Sequence, residues 1–157
     1  MPEPVLPYTL ADTWQLNNRV NLRLLDELSD EQLAYTPNPK ARNIGDQLAH
    51  LHNARILWLE AQSHKLAKTL TKIEKGASSK AAIREGLNAS GEAFGNLIAE
   101  VEGGGRLKSA RRGLNAFFGY LLAHEAHHRG QILLHLKYGK MPVDKTFSYA
   151  IWEWDEI

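Results

Sequence analysis

The stretch from Leu114 to Tyr138 constrains the fold more than any other part of the chain. Phe117, Leu121, His124, His128, Ile132 and His135 recur in it at steps of four and three, a period that an α-helix matches and a strand does not. Gly139 stops this segment and Pro142 follows, the usual punctuation of a helix C-terminus. Three further segments read the same way. Val5 to Leu28 holds Trp14, Leu16, Val20, Leu24, Leu25 and Leu28, with Asn17, Asn18 and Asn21 among them. Ile44, Leu48, Leu51, Arg55 and Trp58 set the period of a second helix, expected from Ile44 to about Leu66. Ser78 and Ser79 can cap a third, expected from Lys80 to about Val101. Between them, Ser29-Asp30-Glu31-Gln32 resembles a cap with at most one short turn, and Thr36-Pro37-Asn38-Pro39 is a loop. No strand pair with a hairpin turn, no internal repeat and no low-complexity tract is evident. Four long amphipathic segments joined by loops imply an all-α four-helix bundle, with residues 1–157 as one domain.

The third segment is rich in small residues: Ala89, Ser90, Gly91, Ala93 and Gly95. Each glycine costs a helix about 1 kcal/mol, so close approach of another helix is expected there, inside the bundle or at a dimer face. Lys65, Lys68, Lys72 and Lys75 follow the second helix, and Arg106 to Arg112 form a basic connector. Both read as solvated segments ahead of anion sites. The tail from Tyr149 to Ile157, aromatic and acidic with Trp152 and Trp154, is expected to dock on the bundle.

The chain has no cysteine. That excludes a thiolate nucleophile, a cysteine-ligated zinc site and an iron–sulfur cluster on this chain, and it fits a cytoplasmic location. A formal net charge of +1 provides no broad field for nucleic acid. Met1-Pro2-Glu3-Pro4 lacks the basic and apolar regions of a signal peptide. The apolar runs are far shorter than a membrane span.

The segment His124-Glu125-Ala126-His127-His128 carries the strongest chemical signal. His124 and His128 are one helical turn apart on one face, and that face is the stripe expected to point into the core. Two buried imidazoles need partners for their ring nitrogens, and a shared metal ion supplies one. A pair of hydrogen-bonded core histidines is the plainer reading, and the shared stripe favours the metal. His127 lies off that face, toward solvent or behind a ligand. His135 is too far along the axis to share the ion, and His64 reads as a surface residue. A third ligand must come from another segment. Of His50 and His52, wheel position puts His50 on the inward arc with Gln47, Ala54, Leu57 and Ala61, and His52 toward the boundary with Gly45, Ile56 and Leu59.

The same five residues satisfy H-E-x-x-H, in which a zincin protease supplies two zinc ligands and a glutamate base. The metzincin extension fails, because Gln131 and Leu134 occupy the required glycine and histidine positions. Glu153 remains as a conceivable downstream ligand, but the sheet that lines a protease cleft has no counterpart.

The run His124-Glu125-Ala126-His127-His128-Arg129-Gly130-Gln131-Ile132 resembles the H-x-x-x-H-R-G-Q signature of the DinB-like superfamily. Asn43-Ile44-Gly45-Asp46-Gln47-Leu48-Ala49-His50-Leu51 resembles that family's second helix, and the likeness extends over nearly the whole chain. The resemblance implies an up-up-down-down bundle, a three-histidine site at His50, His124 and His128, and one divalent metal ion, zinc or nickel first, then iron or manganese. It also implies a homodimer. Characterised relatives include transferases and isomerases that use small thiols. A metal-dependent small-thiol transferase or isomerase is therefore the leading expectation, with a small-molecule substrate and neither nucleic acid nor membrane as partner. A hydrolase using metal-bound water and a non-catalytic metal- or ligand-binding bundle stand beside it. Arg129 is a candidate for binding a carboxylate, of substrate or of a partner, with a salt bridge or dimer contact as the plainer role. Glu125 is a candidate general base, with a surface position as the plainer reading.

Overall fold

A computed structural model describes residues 8–76 and 78–157. Among them it shows helices and loops and no strand. Four long helices carry the architecture: α1 (Leu10–Glu27), α3 (Ile44–Gln62), α5 (Lys80–Glu102) and α6 (Leu114–Tyr138). Short helices α2 (Asp30–Ala34), α4 (His64–Ala67) and α7 (Lys145–Ala150) lie between and after them, with a closing 3-10 turn at Trp154–Glu156. No described helix is long and apolar enough to cross a membrane.

The helix starts follow local chemistry. Thr9 and Asp12 form a reciprocal capping box at α1, and Ser29 and Gln32 form another at α2. The Asn43 side chain accepts from the Asp46 backbone N–H at 2.6 Å and fixes the start of α3. Ser79 caps α5 in the same way. The first helix begins at Leu10; Val5 to Pro7, expected to be helical, lie outside the described residues. The second expected helix breaks at Ser63, whose extended backbone separates α3 from α4.

The four long helices pack as a ring, α1 on α5, α5 on α3, α3 on α6 and α6 on α1. Two apolar clusters fill its ends. One joins Trp14 of α1, Leu59 of α3, Phe94 and Ile98 of α5, and Phe118 and Leu121 of α6. The other joins Leu24 and Leu28 of α1, Ile44 and Leu48 of α3, Ile83 and Leu87 of α5, and Ile132 and Leu136 of α6. The first cluster therefore takes the beginnings of α1 and α6 with the ends of α3 and α5, and the second takes the reverse. The helices run up-down-down-up, which corrects the expected up-up-down-down order. The connection between α3 and α5 supplies the reason: α5 starts at the end of the bundle where α3 began.

The small residues of α5 serve packing inside the bundle. A methyl group at Gly91 would lie 2.5 Å from the Asn18 amide nitrogen, and one at Gly95 would collide with the Gln15 side chain. Their absence lets α1 close onto α5, where the Trp14 indole N–H donates to the Gly91 carbonyl at 2.9 Å. The tail docks through buried Ile151 and through Arg19, whose Nε donates to the Ile157 carbonyl, while Trp152 stays 73% exposed.

Candidate metal centre

Between the two apolar clusters lies a polar layer, and α6 contributes to it on two faces. On one face, His124 and His128 stand one turn apart and meet His50 from the antiparallel α3. The ligand-capable nitrogens of the three rings all lie within 4.8 Å of one another. His124 Nε2 and His128 Nε2 face each other at 3.2 Å. Two imidazoles on one tetrahedral ion at a metal–nitrogen distance of about 2.0–2.1 Å place their nitrogens about 3.3 Å apart, so the observed spacing fits. Nδ1 of His124 and Nδ1 of His128 are buried without a protein partner. Nε2 of each ring has only the other imidazole as its partner, a pairing that a shared cation would replace.

The electrostatics keep the rings neutral, which is the form that binds a cation. Burial lowers the His50 pKa, with help from the Arg42 guanidinium and then His124. Burial also lowers that of His124, against the opposing pull of the Glu125 carboxylate. His128 is lowered to about 4, by burial first and then by the neighbouring His124, His50, His127 and Arg42. Trp58 packs edge-on against His124 at 4.8 Å between ring centroids, and Tyr120 stacks on the same imidazole at 6.4 Å. These rings form an aromatic wall on the α3 end-ward side of the cluster.

The other face of α6 corrects several expectations. Glu125, read as a surface residue or a general base, is fully buried. Its Oε1 accepts from Arg55 Nε at 2.7 Å and its Oε2 from Arg55 Nη2 at 2.9 Å. Asn17 and Asn21 each donate to Oε2 at 2.7 Å. Burial alone would raise this carboxyl, but Arg55, Asn21 and Arg129 hold it below its ordinary value. Such a carboxylate, fully buried and committed to four donors, lacks the basicity to activate water. Arg129 is buried as well and donates to the amide oxygens of Asn17 and Asn21 at 2.9 and 2.7 Å. Its guanidinium is thus engaged inside the bundle, on α1. Arg55 completes the network toward α5, donating to Asn18 Oδ1, Ser90 Oγ and the Leu87 carbonyl, and lies 4.7 Å from the Trp14 ring centroid.

The true buried stripe of α6 is Phe118, Leu121, Glu125, Arg129, Ile132 and Leu136. The expected stripe was rotated by about one residue, and His124, His128 and His135 sit at its edge, half-buried. On α3 the order of His50 and His52 is reversed in burial: His52 is 1% exposed and His50 half-buried. His52 is nevertheless the structural one, its Nε2 paired with the Thr71 carbonyl at 2.9 Å, whereas His50 faces α6. His135 pairs with the Gln47 amide at 3.1 Å and stays out of the cluster. His127 is exposed, its ring 5.4 Å from that of His128. Arg55 and the three asparagines were missed as a functional set. The signal was present: a cation inside the apolar period of α3, and Asn17 and Asn21 one turn apart on α1.

A family model described as the DinB family matches residues 1–146. No curated protein and no solved structure matches the chain.

Proposed function

The chain belongs to the DinB family, and from that membership and the converging imidazoles we propose that His50, His124 and His128 hold one divalent metal ion, zinc or nickel, in a metal-dependent transferase or isomerase of small thiols. The observation that carries the reading is the triangle of three ring nitrogens within 4.8 Å, supplied by two antiparallel helices. Three protein ligands leave at least one position open for a substrate atom. When bound, the ion supplies a Lewis acid that lowers the pKa of a thiol or water in that position.

The rest of the site favours the thiol chemistry. A zincin-type hydrolase needs a free glutamate beside the zinc water, and Glu125 is committed to Arg55, Asn17 and Asn21. A thiol needs no such base, because its own pKa of about 8.5 is within reach of the ion alone. The chain has no cysteine, so the thiol arrives as a cosubstrate. Trp58, edge-on to His124, and Tyr120, stacked on it, offer an apolar surface to the electrophilic partner.

Metal content of the purified protein, followed by thiol-plus-electrophile assays before and after chelation, tests the proposal. One equivalent of metal and thiol conjugation lost on chelation are the expected results. Metal-free protein that takes up no zinc or nickel would overturn the centre. Metal-dependent peptide hydrolysis abolished by Glu125→Gln, without loss of folding, would restore the hydrolase.

A further inference from the structure

We propose that the cavity beside His50 binds the carboxylate of the thiol cosubstrate, through Arg42, Lys72 and Lys75. The inference rests on the thiol reading above and names the substrate class more narrowly, as a small thiol acid. The cavity measures about 310 Å³ and has His50 in its wall, so it adjoins the three-histidine cluster. A volume of this size suits a small molecule.

Three cations line it: Arg42 just before α3, and Lys72 and Lys75 from the segment that links α4 to α5. Among the described residues none of the three makes an ion pair. The two carboxylates in the same wall are Asp46 and Glu74. Asp46 is already engaged, its Oδ1 accepting from the Gly76 N–H at 3.1 Å and the Ser78 hydroxyl at 2.6 Å. Three cations against two carboxylates leave the wall with a net positive charge, and the Asp46 carboxylate is turned to its own donors.

The lysine-bearing segment is anchored to α3. Asn53 clamps Ile73 from both sides, donating to its carbonyl at 2.8 Å and accepting from its N–H at 2.9 Å. His52 holds the Thr71 carbonyl, and Asp46 holds Gly76 and Ser78. These contacts fix the backbone on both sides of Lys72 and Lys75 beside His50. Arg42 sits next to the Asn43 cap, at the positive end of the α3 dipole, where a cation gains nothing from the helix. A thiol placed at the open metal position would carry its carboxylate, a few bonds away, into this cavity.

The test pairs two thiols of equal length, 3-mercaptopropionate and 3-mercapto-1-propanol, titrated calorimetrically into the metal-loaded protein. The acid should bind about tenfold more tightly, as charge-assisted contacts allow, and its advantage should shrink with added salt. In the triple variant Arg42→Gln/Lys72→Gln/Lys75→Gln the preference should fall below about twofold, with metal content and the affinity of the neutral thiol unchanged. Equal affinities in the parent, or a preference that survives in the variant, would overturn the subsite. If neither thiol binds, the thiol reading fails by itself, and succinate decides the subsite separately. On metal-free protein, succinate should shift the amide resonances of residues 42–53 and 71–76 in the parent and not in the variant. No shift in the parent, or the same shift in both proteins, would overturn the cationic site.

Discussion

Helix α6 presents two polar clusters on adjacent faces, and they differ in how their polar atoms are satisfied. The Glu125 face is closed. Its carboxylate, the Arg55 and Arg129 guanidinium groups and the Asn17, Asn18 and Asn21 amides are matched to one another, and none leaves a buried nitrogen or oxygen unpartnered. The histidine face is open. Its nitrogens converge on one another, and Nδ1 of His124 and of His128 lack protein partners. A closed network fixes helices in register, whereas a convergence of nitrogens from three imidazoles fits a ligand from outside. Burial alone would have assigned the roles the other way round, since the more deeply buried charged group is the structural one.

The largest expected effect is on the closed face. Removing one partner of a buried ion pair costs about 3–5 kcal/mol, and a domain of this size loses about 2–4 °C per kcal/mol. Arg55→Met and Glu125→Gln should each lower the melting temperature by on the order of 10 °C. The double variant Arg55→Met/Glu125→Leu should lose less than the sum, because no charge is then left alone. Folded Glu125→Gln protein should still take up one equivalent of metal. A Glu125→Gln protein that melts like the parent while losing its activity would break the comparison and make Glu125 a chemical group.

The open face should answer to ligand rather than to folding. Metal at a thousand times its Kd stabilises a protein by about 4 kcal/mol, which calorimetry would record as a comparable rise in melting temperature. His50→Ala, His124→Ala and His128→Ala should each abolish that rise and the metal stoichiometry, while the metal-free proteins melt near the parent. His52→Ala should do the opposite, lowering the melting temperature through the lost Thr71 anchor and leaving metal uptake intact. Loss of metal from His52→Ala but not from His50→Ala would exchange the two assignments.

A smaller effect follows from proton linkage at the same rings. His128 is lowered from 6.5 to about 4 in the folded protein, by burial first and by His124 next. The unfolded chain binds that proton more readily between those values. Stability of the metal-free protein should therefore rise with pH across about 4 to 6.5, and become independent of this group above and below. Denaturant titrations at several pH values, with and without metal, measure it. A bound ion excludes the proton, so the slope should flatten with metal present. An unchanged slope would argue that the ion does not bind these imidazoles.

Much of this was legible in the residues, and the remainder has definite physical causes. The bounds of α6 follow from its period and Gly139, and the start of α5 from Ser79, because caps and breakers act locally. Helix directions were not legible, since the end of the ring at which α5 starts depends on tertiary packing. Glu125 was misread because a helical wheel describes one helix at a time. Its burial is favourable only because Arg55 of α3 and Asn17 and Asn21 of α1 converge on it from other elements. The His50 and His52 pair shows the same limit: both face protein, and only the identity of the facing helix separates an anchor from a candidate ligand.

The smallest effect is expected at His127, and it sharpens the boundary between the two faces. The residue lies between the closed face and the open one in sequence, next to His128, yet its side chain is exposed. Its ring stands 5.4 Å from that of His128 and takes no part in the nitrogen triangle. Its influence is therefore electrostatic and largely screened by solvent. His127→Ala should leave the melting temperature within the range of an ordinary surface substitution, about 0.5 kcal/mol either way, and the metal stoichiometry at the parent value. The one shift expected is in the metal-free protein. The His127 charge disfavours protonation of His128, so its removal should raise the lower end of the pH range over which stability changes and make the total loss on acidification slightly smaller. A stoichiometric loss of metal in His127→Ala would show that α6 turns a different face to the ion, and the triangle of His50, His124 and His128 would no longer define the centre.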